Sequence, residues 1–169
     1  MTTTHLETLM YDVGQLFLYP TLALIGLLFI YAFWTLGEFV MQAWLRRRHP
    51  IASGRGYRLV AHAQHHKVKD ADTLDVAAHK LLELPRIATR VAPMLGLVAT
   101  MIPMGPALKG LSGGNLANVG ENLTIAFSAV ILALIAASIT FWVVNVRRRW
   151  LAEELVWLGS RKHDWELDQ

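Results

Sequence analysis

The sequence predicts an all-α, polytopic membrane protein in which three transmembrane helices extend into cytoplasmic helices. Three observations carry this reading. Of the 169 residues, 54% are hydrophobic and only 17% charged, whereas soluble domains carry about 25% charged residues. Three long runs hold no charge at all: Val13 to Gly37 (25 residues), Val91 to Leu108 (18) and Asn122 to Val146 (25). The basic side chains, finally, are segregated: 15 of the 16 lie between the first two runs or after the third, and only Lys109 lies elsewhere.

The run lengths set the spans. Crossing ~30 Å of hydrocarbon at about 1.5 Å per residue takes roughly 20 residues. The first and third runs suffice, and the second is completed by Lys109, whose long stem reaches the interface. The spans are placed at 16–40, 88–110 and 121–146. The chain is thereby divided into an external segment (1–15), a first transmembrane helix (16–45), a cytoplasmic helical segment (46–87), a transmembrane hairpin (88–146) and a cytoplasmic C-terminal helix (147–169). Basic residues mark the cytoplasmic side, so the N-terminus, with Glu7 and Asp12 and no basic residue, is expected outside. No basic start or small-residue cleavage site is present, so the first span is expected to stay as an anchor. Sidedness accounts for the net charge of +3 and the pI near 9.4; nucleic acid is not an expected partner. The absence of cysteine excludes disulfides, thiolate metal sites and thiol nucleophiles.

Each element follows from local chemistry. The first span carries Pro20 near its outer end and an aromatic inner half (Phe29, Tyr31, Phe33, Trp34). Glu38 stands at its cytoplasmic end, just before Trp44 and Arg46–Arg48, and is expected as an interfacial charge beside those arginines. A carboxylate at mid-membrane would cost about 3 kcal/mol, and one at the interface much less. His49-Pro50 and Ser53 to Gly56 predict a turn. Residues 57–69 follow as a helix, and Asp70 or Asp72 is expected to cap the next one, through Leu84. There Leu74, Ala77, Ala78, Leu81 and Leu82 form one apolar stripe, which packs on a neighbouring subunit or on the cytoplasmic ends of the spans. After the third span, Trp150, Leu151, Glu154, Leu155, Trp157 and Leu158 indicate a helix that continues into the cytoplasm.

Candidate chemistry is sparse. His62, His65 and His66 share one helix face, which offers either a weak metal site or a solvated, pH-sensitive surface. No matching carboxylate accompanies them, so no metal or other cofactor is expected. No phosphate loop, serine elbow or zinc-protease motif occurs, and no enzyme activity is expected.

The second and third spans carry the informative pattern. Ala92, Gly96 and Thr100 recur every fourth residue, and Ala129, Ala133 and Ala137 do the same. Such small-residue ridges let helices approach closely where lipid supplies no hydrophobic drive. They predict a packed hairpin, joined through residues 109–121, that also forms subunit contacts. Pro93 is expected in the first turn of the second span, and Pro103 and Pro106 are expected to break or bend its outer end. Thr100, the one hydroxyl in the middle of that span, either bonds back to its own helix or faces a pathway. Neither span holds a titratable side chain between its ends. A proton carrier at mid-membrane would therefore have to come from a partner.

The stretch Ala92-Pro93-Met94-Leu95-Gly96-Leu97-Val98-Ala99-Thr100 resembles the A-P-x-L-G-L-x-G-T signature of the MotA/TolQ/ExbB proton channel family. The likeness extends over about residues 86–150, including a third span that ends in Val144-Asn145 and basic residues. The order of elements is similar to the ExbB/TolQ branch. The resemblance implies an inner-membrane ring, a homopentamer in the family, around single-span partners like ExbD or TolR whose membrane aspartate carries the proton. It implies that Thr100 faces the proton pathway and that the complex uses proton motive force to energise envelope transport. The third span departs from the pattern. Val130 stands where the family has its second pore threonine, Ala133 where a glycine follows, and Ile125 where an acid lies. Glu121, one turn earlier, replaces that acid only in part. The apolar face with Val130, Ala133 and Ala137 leaves a second reading open: a non-conducting scaffold ring that holds a single-span partner.

Overall fold

The computed structural model describes residues 2–66, 71–114 and 116–167, with side chains at all of these except 2–8, 10, 66, 71, 116, 118 and 161–167. Among the described residues there are four α-helices and no strand: α1 (Thr2–Arg48), α2 (Arg58–His66), α3 (Ala71–Ser112) and α4 (Leu116–Leu167), with a short 3-10 turn at Ile51–Ser53. Three helices contain segments long and apolar enough to cross a membrane: Tyr11–Arg48, Asp72–Ser112 and Val119–Ser160. The chain is an all-helical, multi-pass membrane protein.

Elements predicted as separate are fused. Residues 2–15 are the opening turns of α1, so Pro20 lies inside a helix rather than near its start. The cytoplasmic stripe and the second span form one helix of 42 residues. Pro93 therefore stands far from any first turn, and Pro103 and Pro106 end nothing, since α3 continues to Ser112. Asp70 lies outside the described residues, while Asp72 occupies the first turn of α3. Proline is tolerated in a spanning helix where another donor takes up the carbonyl four residues earlier. For Pro106 that carbonyl is Ile102, and the Gln15 amide of α1 donates to it over 3.5 Å. The hairpin link shrinks accordingly, with α3 ending at Ser112 and α4 starting at Leu116.

The chain forms two compact units. The first comprises Met1–Phe33 and Ala88–Ser138. Its centre is built from Ile25, Ala99, Ala129 and Ala133, with Leu22 and Leu95 packed against them. Alanine dominates because close helix approach, not bulk, holds helices together in lipid. The tightest point is Gly96: a Cβ there would lie 3.0 Å from Ala133 Cβ and 3.6 Å from Val130 Cα. Only 17–33% of the most apolar stretch of each spanning helix is buried within the chain. The remaining apolar surface, with Leu16, Leu27 and Ile30 on α1 and Met94, Leu97 and Met101 on α3 exposed, is suited to lipid and neighbouring chains.

The second unit comprises Trp34–Ile87 and Ile139–Gln169. Its core joins Leu59 and Ala63 of α2, Leu74, Ala78 and Leu82 of α3, and Leu151 of α4, with Ala77, Leu155 and Leu158 against them. The stripe on α3 thus packs on α2 and on the α4 extension of its own chain, while Leu81 stays exposed. The left-handed Gly56 (φ 84°) closes the α1–α2 turn, where a Cβ would meet Leu45 Cβ at 3.0 Å and Arg46 N at 3.1 Å.

The closeness at Gly96 sets a graded expectation. Gly96→Ala should lower the thermal midpoint in detergent by a few degrees, and Gly96→Val by more, since overpacking costs about 1–3 kcal/mol. Equal midpoints for wild type and Gly96→Val would contradict the packing described.

Candidate functional site

Thr100 sits on α3 one turn beyond Gly96, half-buried, and its Oγ donates to Leu97 O at 2.7 Å. The hydroxyl is satisfied by its own helix, as are others along the hairpin. Thr124 donates to Gly120 O and Ser128 to Thr124 O, each at 2.8 Å, and Ser138 to Leu134 O at 2.8 Å. Where water is absent, a backbone carbonyl is the nearest acceptor, so such groups fold back. A back-bonded hydroxyl still has lone pairs with which to accept a donor from a neighbour.

The structure brings Gly96, Val130 and Ala133 together across the α3–α4 contact. Ala92, Ala133 and Ala137 are buried at 1%, 0% and 8%, whereas Pro93 and Val130 are half-buried. Glu121 is exposed in the early turns of α4. Ala99, which stands in place of the glycine in the resembled signature, is fully buried in the alanine-rich centre, so its methyl group fits there.

A charged cluster occupies the second unit. Glu38 Oε2 accepts from Arg58 at 2.8 Å and from Arg147 at 3.2 Å. Its partners are thus not the Arg46–Arg48 cluster beside it in sequence: Arg46 is turned to Glu154 instead. About 40% of the Glu38 side chain is exposed, so solvent screens these pairs and each contributes at most ~1 kcal/mol.

Glu154 is different. It is completely buried, pairs with Arg46, and accepts the N–H groups of Leu59 at 2.7 Å and Val60 at 3.3 Å. Those donors belong to the first turn of α2, where helical N–H groups have no partner of their own. A carboxylate from α4 therefore caps α2 and complements its dipole. Arg46 is held as firmly. Its Nε donates to Gly56 O at 3.0 Å, and its guanidinium lies 4.4 Å from the Tyr57 ring centroid and 4.5 Å from that of Trp150. Phe39 stacks on Trp150 at 5.0 Å and meets Trp142 edge-on at 4.9 Å. Sequence reasoning assigned Glu154 no role. The available signal was a carboxylate on the stripe Leu151, Glu154, Leu155, Leu158, where the spacing predicts burial.

His62 and His65 are exposed on α2, while the His66 side chain lies outside the described residues. Among the described residues no group of three or more His, Cys, Asp or Glu is placed to hold a metal.

Fold and site define a multi-pass helical membrane protein with no ionisable group from Val91 to Leu108 or from Asn122 to Val146. Residues 55–157, well over half of the chain, match the MotA/TolQ/ExbB proton channel family, and the chain belongs to that family. No curated protein and no solved structure matches it.

Removing the Glu154 carboxylate leaves a buried guanidinium and the first turn of α2 without partners. Glu154→Ala should cost about 3–5 kcal/mol, read as a large drop in thermal midpoint by circular dichroism. The double variant Arg46→Met/Glu154→Leu should recover much of that loss.

Proposed function

We propose that the chain is the ExbB/TolQ-like subunit of a proton-driven motor complex in the inner membrane, and not an enzyme. In this reading it forms a ring, a homopentamer, around an ExbD/TolR-like single-span partner, and proton motive force across the ring energises an envelope transport process. The observation that carries it is the pairing of a proton-channel family match with spans that lack any titratable group from Val91 to Leu108 and from Asn122 to Val146. A channel of this kind needs its carrier from elsewhere, and a membrane aspartate on a partner supplies it. Thr100 is assigned to the pathway because it is the hydroxyl at mid-span in the signature. Proton transfer there requires only that the hydroxyl accept one hydrogen bond while donating another.

The scaffold reading has a specific observation in its favour. Val130 and Ala133 pack on Gly96 within one chain, so that stretch of α4 offers no second hydroxyl to a pathway. The two readings part in proteoliposomes. A conducting complex acidifies the lumen only when the partner with its aspartate is present, and a scaffold shows no partner-dependent flux.

Two further outcomes are expected. Thr100→Val should cut partner-dependent flux at least about tenfold, a barrier change of about 1.4 kcal/mol, while Thr100→Ser keeps most of it. A Thr100→Val complex that assembles and conducts normally removes the residue from the pathway. For orientation, Ser112→Cys should react with an impermeant maleimide added outside intact cells, and Ser53→Cys only after permeabilisation. The chain has no native cysteine, so the labelling background is clean.

A further inference from the structure

The second unit has a groove of about 740 Å³ along the seam of α2 and α3. Its floor is apolar, with Ala61 on α2 and Val76 and Leu81 on α3, and its rim carries Arg58, His62 and Lys80. Arg58 already pairs with Glu38, and no acidic side chain lines the groove. Val76 is 54% exposed. It precedes the apolar run at Val91 by 15 residues, roughly 22 Å along a helix, which is too far for lipid tails to cover it. An apolar groove with a cationic rim suits an amphipathic helix that bears a carboxylate.

The same unit carries a helix face of that kind. On the α4 extension, Leu151, Leu155 and Leu158 turn inward, while Ala152, Glu153, Val156, Gly159 and Ser160 are exposed. Val156 is 75% exposed and is the large apolar side chain of this face. Its neighbours Ala152, Gly159 and Ser160 are small, so another helix pair can approach closely. Glu153 stands on the same face, its side chain 58% exposed, with a long contact to Arg149 at 3.8 Å, and its exposed oxygens can meet a further cation. The α4 face and the groove consist of different residues on different surfaces of the bundle. They fail to satisfy each other within one chain.

We propose that the exposed α4 face of one copy, centred on Val156, docks in the α2–α3 groove of the next copy. Val156 sits on the floor by Val76 and Leu81, and Glu153 faces Lys80. The contact is heterologous, a face on one copy against a groove on another, so it passes from copy to copy beyond a two-fold dimer and makes a ring where the rotation closes. This deepens the ring reading above and rests on it.

Cysteine cross-linking of the full chain in native membranes tests the contact, since the wild type contains no cysteine. A Val76→Cys/Val156→Cys double variant, oxidised with copper phenanthroline, should give a ladder from dimer up to the full ring. Each single variant alone should give no ladder, and co-expressing the two singles should give dimers only. Self-linking of Val156→Cys alone, or oxidation of the double variant without a ladder, overturns the proposal. Native mass measurement of the unmodified assembly separates the two failures. A ring without a ladder overturns the groove contact and leaves the ring reading standing, whereas a monomer overturns both.

Discussion

The carboxylate of Glu154 is the contact on which the second unit depends. Burying a lone charge is prohibitive, and Glu154 is fully buried; it is tolerated because three donors meet it at once. Arg46 of α1 supplies one, and the Leu59 and Val60 N–H groups supply the others. Among the described residues α2 spans nine, too few to be stable alone in water. Its cap comes from α4, and its inner face is covered by Leu74, Ala78, Leu82 and Leu151. One side chain thereby ties together elements that lie nearly a hundred residues apart.

The first unit obeys a different constraint. In hydrocarbon each polar group needs a partner inside the protein, and the hydroxyls of the hairpin find one in their own helices. Alanine and glycine at the α3–α4 contact then allow the backbones to meet closely. The result is a pair of spans without a charge of their own, in a chain whose family conducts protons. In the reading proposed above, the chemistry of conduction is shared with a partner, and this chain supplies walls and a hydroxyl.

Much of this was legible in the sequence. The three spans followed from uncharged runs, because the hydrocarbon thickness translates directly into residue number. The close approach of Gly96 to Ala133 and Val130 accords with the small-residue spacing, since only small side chains permit it. The signature around Thr100 pointed to the family that the profile match then supported. The helix ends were less legible. Pro93, Pro103 and Pro106 argue for boundaries by local rules, yet α3 passes through all of them, because a spanning helix is held by its surroundings and a freed carbonyl can find Gln15. Glu38 was placed beside the wrong arginines: neighbours in sequence pointed to Arg46–Arg48, and the fold chose Arg58 and Arg147.

The sequence by itself thus determined the class and the spans, because hydrophobic run length is a property of the linear chain. Only the tertiary structure decided which charges meet. Glu154 beside Arg46, Glu38 between Arg58 and Arg147, and an α2–α3 groove left open while Val156 faces outward are products of four helices converging. Such pairings depend on the direction in which each helix face points once its neighbours are in place.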